Sequence, residues 1–246
     1  MGNCLGKGKG RRSGPPPPLS PLEQKLVDAI NSRRGAEGTN PIKHFNTLLM
    51  KFGKIGKGFE SLRAVFKELD ANGLGSISKE DLVKGYDSAG LPPWRNREEQ
   101  EEILEVADFD GNNTIEFREF VVIVALNHVL GMGSGGVGAG EGEGSAVEGS
   151  GTGISPELTT AIDLSVNTFL FLDDSGNGTL ERNEVLQSLD ESRGQGKGQA
   201  GNAALMKRRF EEMDWDNNGN ISYLEFLFAL ESWVGIEDQE DSEEDS

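Results

Sequence analysis

Four short acidic loops, starting at Asp70, Asp108, Asp173 and Asp214, punctuate this 246-residue chain, and apolar stretches of helical period flank each of them. The last reads DWDNNGNISYLE, residues 214–225, and the apolar run FLFAL follows it. A solvated turn would account for its Asn and Gly, but it does not require carboxylates at fixed offsets beside an apolar helix. The first two loops are spaced much as the last two are, and a longer interval separates the second from the third. The chain is therefore an internal repeat organised as two pairs.

The offsets match D-x-[DN]-x-[DN]-G-x5-E, the loop of an EF-hand. Calcium takes six to eight oxygens at about 2.3–2.6 Å. Positions 1, 3 and 5 supply side chains, position 7 a backbone carbonyl, position 9 a group or a water, and position 12 a bidentate Glu. Loop four offers Asp214, Asp216, Asn218, Asn220, Ser222 and Glu225, with Gly219 at the sharp turn. Loop three offers Asp173, Ser175, Asn177, Thr179, Glu181 and Glu184, where Ser175 keeps an oxygen but loses charge. Loop two offers Asp108, Asp110, Asn112, Thr114, Glu116 and Glu119. Asn113 stands there in place of Gly, the next best residue for a left-handed turn. Its four carboxylates suit the tightest site of the set, and also magnesium.

Loop one has Asp70, Asn72, Ser76 and Asp81, but Leu74 brings no oxygen at position 5. Asp81 is one methylene shorter than the expected Glu, so this loop is expected to be weak or empty. About three calcium sites are therefore expected. A lone loop of this kind could be a polar turn or hairpin. Four in tandem, each with an aliphatic residue at position 8 (Ile77, Ile115, Leu180, Ile221), point instead to sister loops clasped by short β-bridges.

The expected fold is all-α: two EF-hand lobes, four helix-loop-helix repeats, joined by a Gly-rich linker. Residues 22–130 form the first lobe, with two leading helices marked by Leu22, Leu26, Val27 and Ile30 and by Phe45, Leu48, Leu49 and Phe52. Residues 131–156 read as a flexible linker, 157–234 as the second lobe, and 235–246 as a disordered acidic tail. Because such a linker transmits no packing, the lobes are expected to fold as separate units. Phe66, Leu69, Phe169, Leu172, Phe210 and Met213 precede loops, and Phe120 and Phe226 follow them, as the stripes of a paired core or of a groove. Met is scarce in the second lobe, unlike the most adaptable target grooves.

A net charge of −18 argues against nucleic acid as a partner. The single Cys4 leaves no internal disulfide and suits the cytosol. The longest apolar run, FVVIVAL at 120–126, is far too short to span a bilayer, and residues 5–19 carry no secretory apolar region. Residues 1–21 are basic and Pro-rich and read as disordered. Within MGNCLGKGKGRR, Gly2 suits N-myristoylation after loss of Met1, although Gly6 replaces the usual Ser or Thr. One acyl chain binds only marginally, and Cys4 supplies a second site for palmitate. Lys7, Lys9, Arg11 and Arg12 would each add about 1 kcal/mol at an anionic leaflet. Pro15–Pro18 fits a spacer better than an SH3-type ligand, being consecutive without other anchors. The expected location is cytoplasmic, peripheral on the plasma membrane or an endomembrane. No kinase Gly-rich loop or nucleophile elbow is present, and His44 and His128 have no catalytic company, so no enzyme is expected.

Four EF-hand loops, the acylation-like start and the segment HFNTLLMKFGKI at 44–55 together resemble the calmodulin-like calcium-sensor family of plants and green algae. The resemblance covers residues 22–130 and 157–234 and implies a monomer that binds target proteins through apolar grooves when calcium is bound, without catalysis. The Gly-rich linker and acidic tail depart from the family pattern. Calcineurin-B-like and recoverin-like regulatory subunits share the acylated start and the degenerate first loop and are the nearest alternatives. A calcium buffer that opens no groove is the other reading.

Overall fold

Ile77 pairs with Ile115 and Leu180 with Ile221, so position 8 of each loop faces position 8 of its sister. All four side chains are buried. The computed structural model describes residues 19–36, 50–133, 154–190, 208 and 210–234. Gly2 and Cys4, the leading residues Phe45, Leu48 and Leu49, most of the linker and the acidic tail lie outside the described residues.

Helix α1 (Pro21–Ala36) comes first, followed by α2 (Phe52–Glu60) and α3 (Leu62–Leu69). The first pair continues with β1 (Ser76–Ser78), α4 (Lys79–Tyr86), α5 (Arg97–Ala107), β2 (Thr114–Glu116) and α6 (Phe117–Gly133). The second pair holds α7 (Pro156–Leu172), β3 (Leu180–Glu181), α8 (Arg182–Asp190), β4 (Asn220–Ile221) and α9 (Tyr223–Val234). Local chemistry explains several of the starts. Ser20 and Glu23 form a reciprocal capping box around Pro21, and Ser78, Asn96 and Ser155 each accept a backbone N–H of the helix they precede. The two antiparallel bridges are the strands among the described residues, so the architecture is the expected all-α one.

The flanking stripes form the core of each pair. Phe66 meets Phe120 and Phe117, each at 5.5 Å between ring centroids, and Phe169 meets Phe226 at 5.6 Å and Tyr223 at 5.3 Å. Edge-on and tilted contacts of this kind suit the ring quadrupoles.

The buried side chains of both pairs belong to one continuous cluster, so the two halves share a core. The leading helices make the connection. Helix α1 buries Leu22, Leu26 and Ile30 and lies against both α6 and α7, while α2 packs chiefly on α7. Arg33 of α1 reaches Asp163 of α7 at 3.0 Å, and Arg118 of α6 reaches the Phe228 carbonyl of α9 at 3.2 Å. Helix α7 is apolar over most of its circumference, from Leu158 to Leu172, and such a helix must be covered on several sides. Helices α1 and α2 carry packing from one pair to the other.

The closest approach is at Gly58 of α2. A Cβ there would sit 2.5 Å from the Glu157 carbonyl oxygen and would also strike the Cβ of Ala161. At exposed Gly53 of the same helix a Cβ would meet nothing within 4 Å. Gly58→Ala should therefore destabilise the chain by about 1–3 kcal/mol through overpacking. Gly53→Ala should stabilise it by about 0.5 kcal/mol through helix propensity alone. Urea denaturation reads both, and a Gly58→Ala chain as stable as the parent would contradict the seating of α2 on α7.

Candidate metal centres

Each loop turns at position 6 through a left-handed residue: Gly75, Asn113, Gly178 and Gly219 have φ of 76°, 62°, 81° and 92°. Asn113 thus does the work expected of it in loop two. The position-1 Asp accepts the position-6 N–H in every loop, with Asp70, Asp108, Asp173 and Asp214 bonded at 2.8, 3.2, 3.1 and 3.1 Å. This bond curls the chain so that later oxygens converge.

Loop four shows the result. Asp216 accepts the Asn218 N–H at 2.9 Å, and Asn218 accepts that of Asn220 at 2.7 Å. Glu225 takes the Trp215 N–H on one carboxylate oxygen at 3.2 Å and the Ser222 N–H on the other at 2.8 Å, so its two oxygens are oriented together. Carboxylate oxygens of Asp214, Asp216 and Glu225 lie within 4.8 Å of one another. In loop two those of Asp108, Asp110 and Glu119 do the same, and Glu119 is held at both ends by the Phe109 and Glu116 N–H groups. Asn112 accepts from both the backbone and the hydroxyl of Thr114.

Electrostatics identify what these clusters suit. One oxygen of Asp108 and one of Asp214, both named Oδ1, are buried without a hydrogen-bond partner. An uncompensated buried carboxylate oxygen costs several kcal/mol, and an all-oxygen donor set of this charge fits a hard divalent cation. Burial pushes the carboxyls of Asp214, Glu225 and Glu119 above their ordinary range, and neighbouring carboxylates add to it. Burial would raise Asp108 too, but Lys79, whose Nζ lies 2.6 Å from Asp108 Oδ2, holds it below the usual range.

Loop three is built alike with fewer charges. Glu184 accepts the N–H groups of Ser175 and Glu181, each at 2.8 Å, while Asn177 accepts from Thr179 at 2.8 Å and donates to Glu181 at 3.2 Å. Its position-1 residue, fully buried Asp173, receives Arg34 of α1, which donates to the Asp173 carbonyl at 2.5 Å and to Oδ2 at 3.2 Å. Asn31 adds a bond to the Gly176 carbonyl at 3.2 Å.

Loop one does not assemble. Asp81 faces its own helix start, accepting from the Ser78 hydroxyl at 2.7 Å and from Lys84 at 3.2 Å, and these partners hold its carboxyl below the ordinary range. Leu74 projects into solvent, 76% exposed, and no described bond brings Asn72 or Ser76 toward Asp81. His128 is half-buried on α6, its Nε2 has no hydrogen-bond partner among the described residues, and burial lowers its pKa.

The structure brings together the carboxylates singled out in loops two and four, and beside the loops it places two basic side chains that sequence reading missed. Lys79 was legible in principle, at position 10 of loop one. Arg34 is far away in sequence, and only the docking of α1 brings it to Asp173.

The raised carboxyls have a testable consequence. A folded chain holds protons on Asp214 and Glu225 at a pH where ordinary carboxylates are already ionised, and a cation must displace them. Calcium affinity at loop four should therefore fall from pH 7 to pH 5, beginning above the ordinary carboxylate range. Trp215 emission in calcium titrations follows this, and an affinity flat down to pH 5 would contradict the burial argument.

The description EF-hand domain pair matches residues 59–124, from the end of α2 into the first half of α6. The chain is 32% identical over 223 residues to "Probable calcium-binding protein CML21" of Arabidopsis thaliana, covering 91% of this chain and 88% of that protein. It is 33% identical to "Probable calcium-binding protein CML22" of the same plant, covering 89% and 91%. Calcium-dependent protein kinase 22 of Arabidopsis thaliana is 23% identical over 88% of this chain, but only 36% of the kinase is covered. With about nine tenths of each of these two relatives covered, and with clasped EF-hand loops in both halves, the chain belongs to the plant calmodulin-like family of EF-hand calcium-binding proteins.

Proposed function

We propose that this chain is a calcium sensor that binds calcium at loops two, three and four and engages target proteins as a monomer through apolar surface that calcium makes available. The observation that carries the cation reading is the convergence of three carboxylates within 4.8 Å in loops two and four, each with a buried oxygen lacking any partner. Asp108, Asp110, Asn112, Glu116 and Glu119 would hold the ion in loop two with the Thr114 carbonyl, and magnesium is a second candidate there. Asp173, Ser175, Asn177, Glu181 and Glu184 would do so in loop three with the Thr179 carbonyl. Asp214, Asp216, Asn218, Ser222 and Glu225 would do so in loop four with the Asn220 carbonyl. Bound calcium supplies charge and a fixed coordination geometry; no catalytic step is assigned.

A sensor is favoured over a buffer by Arg34. It ties α1, a helix outside the loops, to the first ligand of loop three. A divalent ion on Asp173 weakens the hold of that carboxylate on a neighbouring cation, so calcium bears on how α1 is held over α6 and α7. A buffer needs no such link.

Membrane tethering through Gly2 and Cys4, with Lys7, Lys9, Arg11 and Arg12 against an anionic leaflet, completes the proposal. No helix among the described residues is long and apolar enough to cross a membrane. Labelling with an alkyne myristate analogue in cells should mark the parent and not Gly2→Ala, whose membrane fraction should fall.

Calorimetric titration of the unacylated chain should count three calcium ions, and Glu225→Gln should leave two. Leu74→Asn with Asp81→Glu should create a fourth. Four similar sites in the parent would overturn the reading of loop one. A dye for exposed apolar surface should brighten on calcium addition, and an unchanged signal with three ions bound would favour the buffer.

A further inference from the structure

The two loops that gather three carboxylates belong to different pairs, yet their position-2 side chains touch. The rings of Phe109 in loop two and Trp215 in loop four lie 4.0 Å apart between centroids. Phe228 of α9 completes the group at 5.5 Å from Phe109 and 5.1 Å from Trp215. Phe109 remains 54% exposed, so this contact is where the ring obtains its cover. The backbone of each position-2 residue is also tied to the bidentate Glu of its own loop, Phe109 N–H to Glu119 at 2.8 Å and Trp215 N–H to Glu225 at 3.2 Å. A second link runs parallel: Arg118, the residue before Glu119, donates to the Phe228 carbonyl and lies 3.7 Å from buried Glu231 of α9.

We infer that loops two and four are a coupled pair of calcium sites, joined across the two halves by Phe109 and Trp215 as positioning residues. The inference rests on the proposed binding of calcium at these loops and adds a route that the β-bridges do not provide, since those join loop one to two and three to four. A cation engaging Glu119 fixes the Phe109 N–H and with it the ring. Trp215 and Phe228 then pack on an ordered partner, so less ordering remains when Glu225 engages a second cation. The first ion therefore strengthens the second, and linkage requires the reverse effect to be equal. Direct repulsion between two cations would have the opposite sign, and salt screens it. The sign of the coupling thus tells the two apart.

The test uses the full chain carrying Trp94→Phe and Trp233→Phe, so that Trp215 emission reports loop four. Adding Glu119→Gln should move the calcium midpoint of loop four to about fivefold higher concentration. In a Phe109→Ala background the same Glu119→Gln should move it less than twofold, and Phe109→Tyr, which keeps the ring, should restore the full shift. The reciprocal arm is calorimetry of the otherwise unaltered chain: Glu225→Gln should weaken loop two by the same factor. A loop-four midpoint that Glu119→Gln leaves unmoved, or moves to lower calcium, overturns the coupling. A shift that persists in full in Phe109→Ala overturns the ring route. A parent chain that gives neither heat nor an emission change when calcium is added overturns the binding reading itself, which is a different result from three bound ions with independent midpoints.

Discussion

Repulsion among carboxylates is the constraint around which this molecule is built. Three of them within 4.8 Å, in each of two loops, oppose one another by about 3.5 kcal/mol per pair at an effective dielectric near 20. Hydrogen bonds from loop N–H groups relieve part of this, while burial, with the repulsion added to it, raises the carboxyls of Glu119, Asp214 and Glu225 above their ordinary range. The rest falls on the apolar clasp. Ile77, Ile115, Leu180 and Ile221 are each buried, contributing about 1.5–3 kcal/mol apiece, and they anchor the acidic turns to helices that have nowhere else to go. A chain with the same acidic residues and polar position-8 side chains would splay its loops into water.

Because α7 is apolar on several sides, the two pairs share their core. Helices α1 and α2 cover α7 while also serving the first pair, and that sharing brings distant charges to the loops. Arg34 arrives at Asp173 and Lys79 at Asp108, so two of the three complete loops have a basic side chain on their first carboxylate. Loop four has no basic partner described on Asp214, and there burial raises the carboxyl instead of a cation lowering it. The three loops therefore present different electrostatic environments at their first carboxylate.

The same compaction explains the aromatic group of Phe109, Trp215 and Phe228. In two lobes tethered only by a Gly-rich segment, position-2 side chains would point into solvent and need not be aromatic at all. Here they meet across the halves, and the exposed edge of Phe109 marks where the contact ends.

Much of the site was legible in the sequence because a twelve-residue loop carries its own geometry. Every ligand oxygen is at a fixed offset, the turn needs a left-handed residue at position 6, and the bridge needs an aliphatic one at position 8. Those requirements are local, so Asn113, Ile115 and Glu119 could be assigned before any fold was known, and Leu74 and Asp81 marked loop one as incomplete. Helical periodicity likewise showed that α1 and α7 have apolar faces to bury. It did not show against what, since an apolar stripe at Leu22, Leu26 and Ile30 has the same spacing whichever helix receives it. The union of the two pairs in one core, the arrival of Arg34 at Asp173 and the meeting of Phe109 with Trp215 were decided by tertiary packing, because burial is non-directional and its partners are chosen by shape across more than a hundred residues of chain.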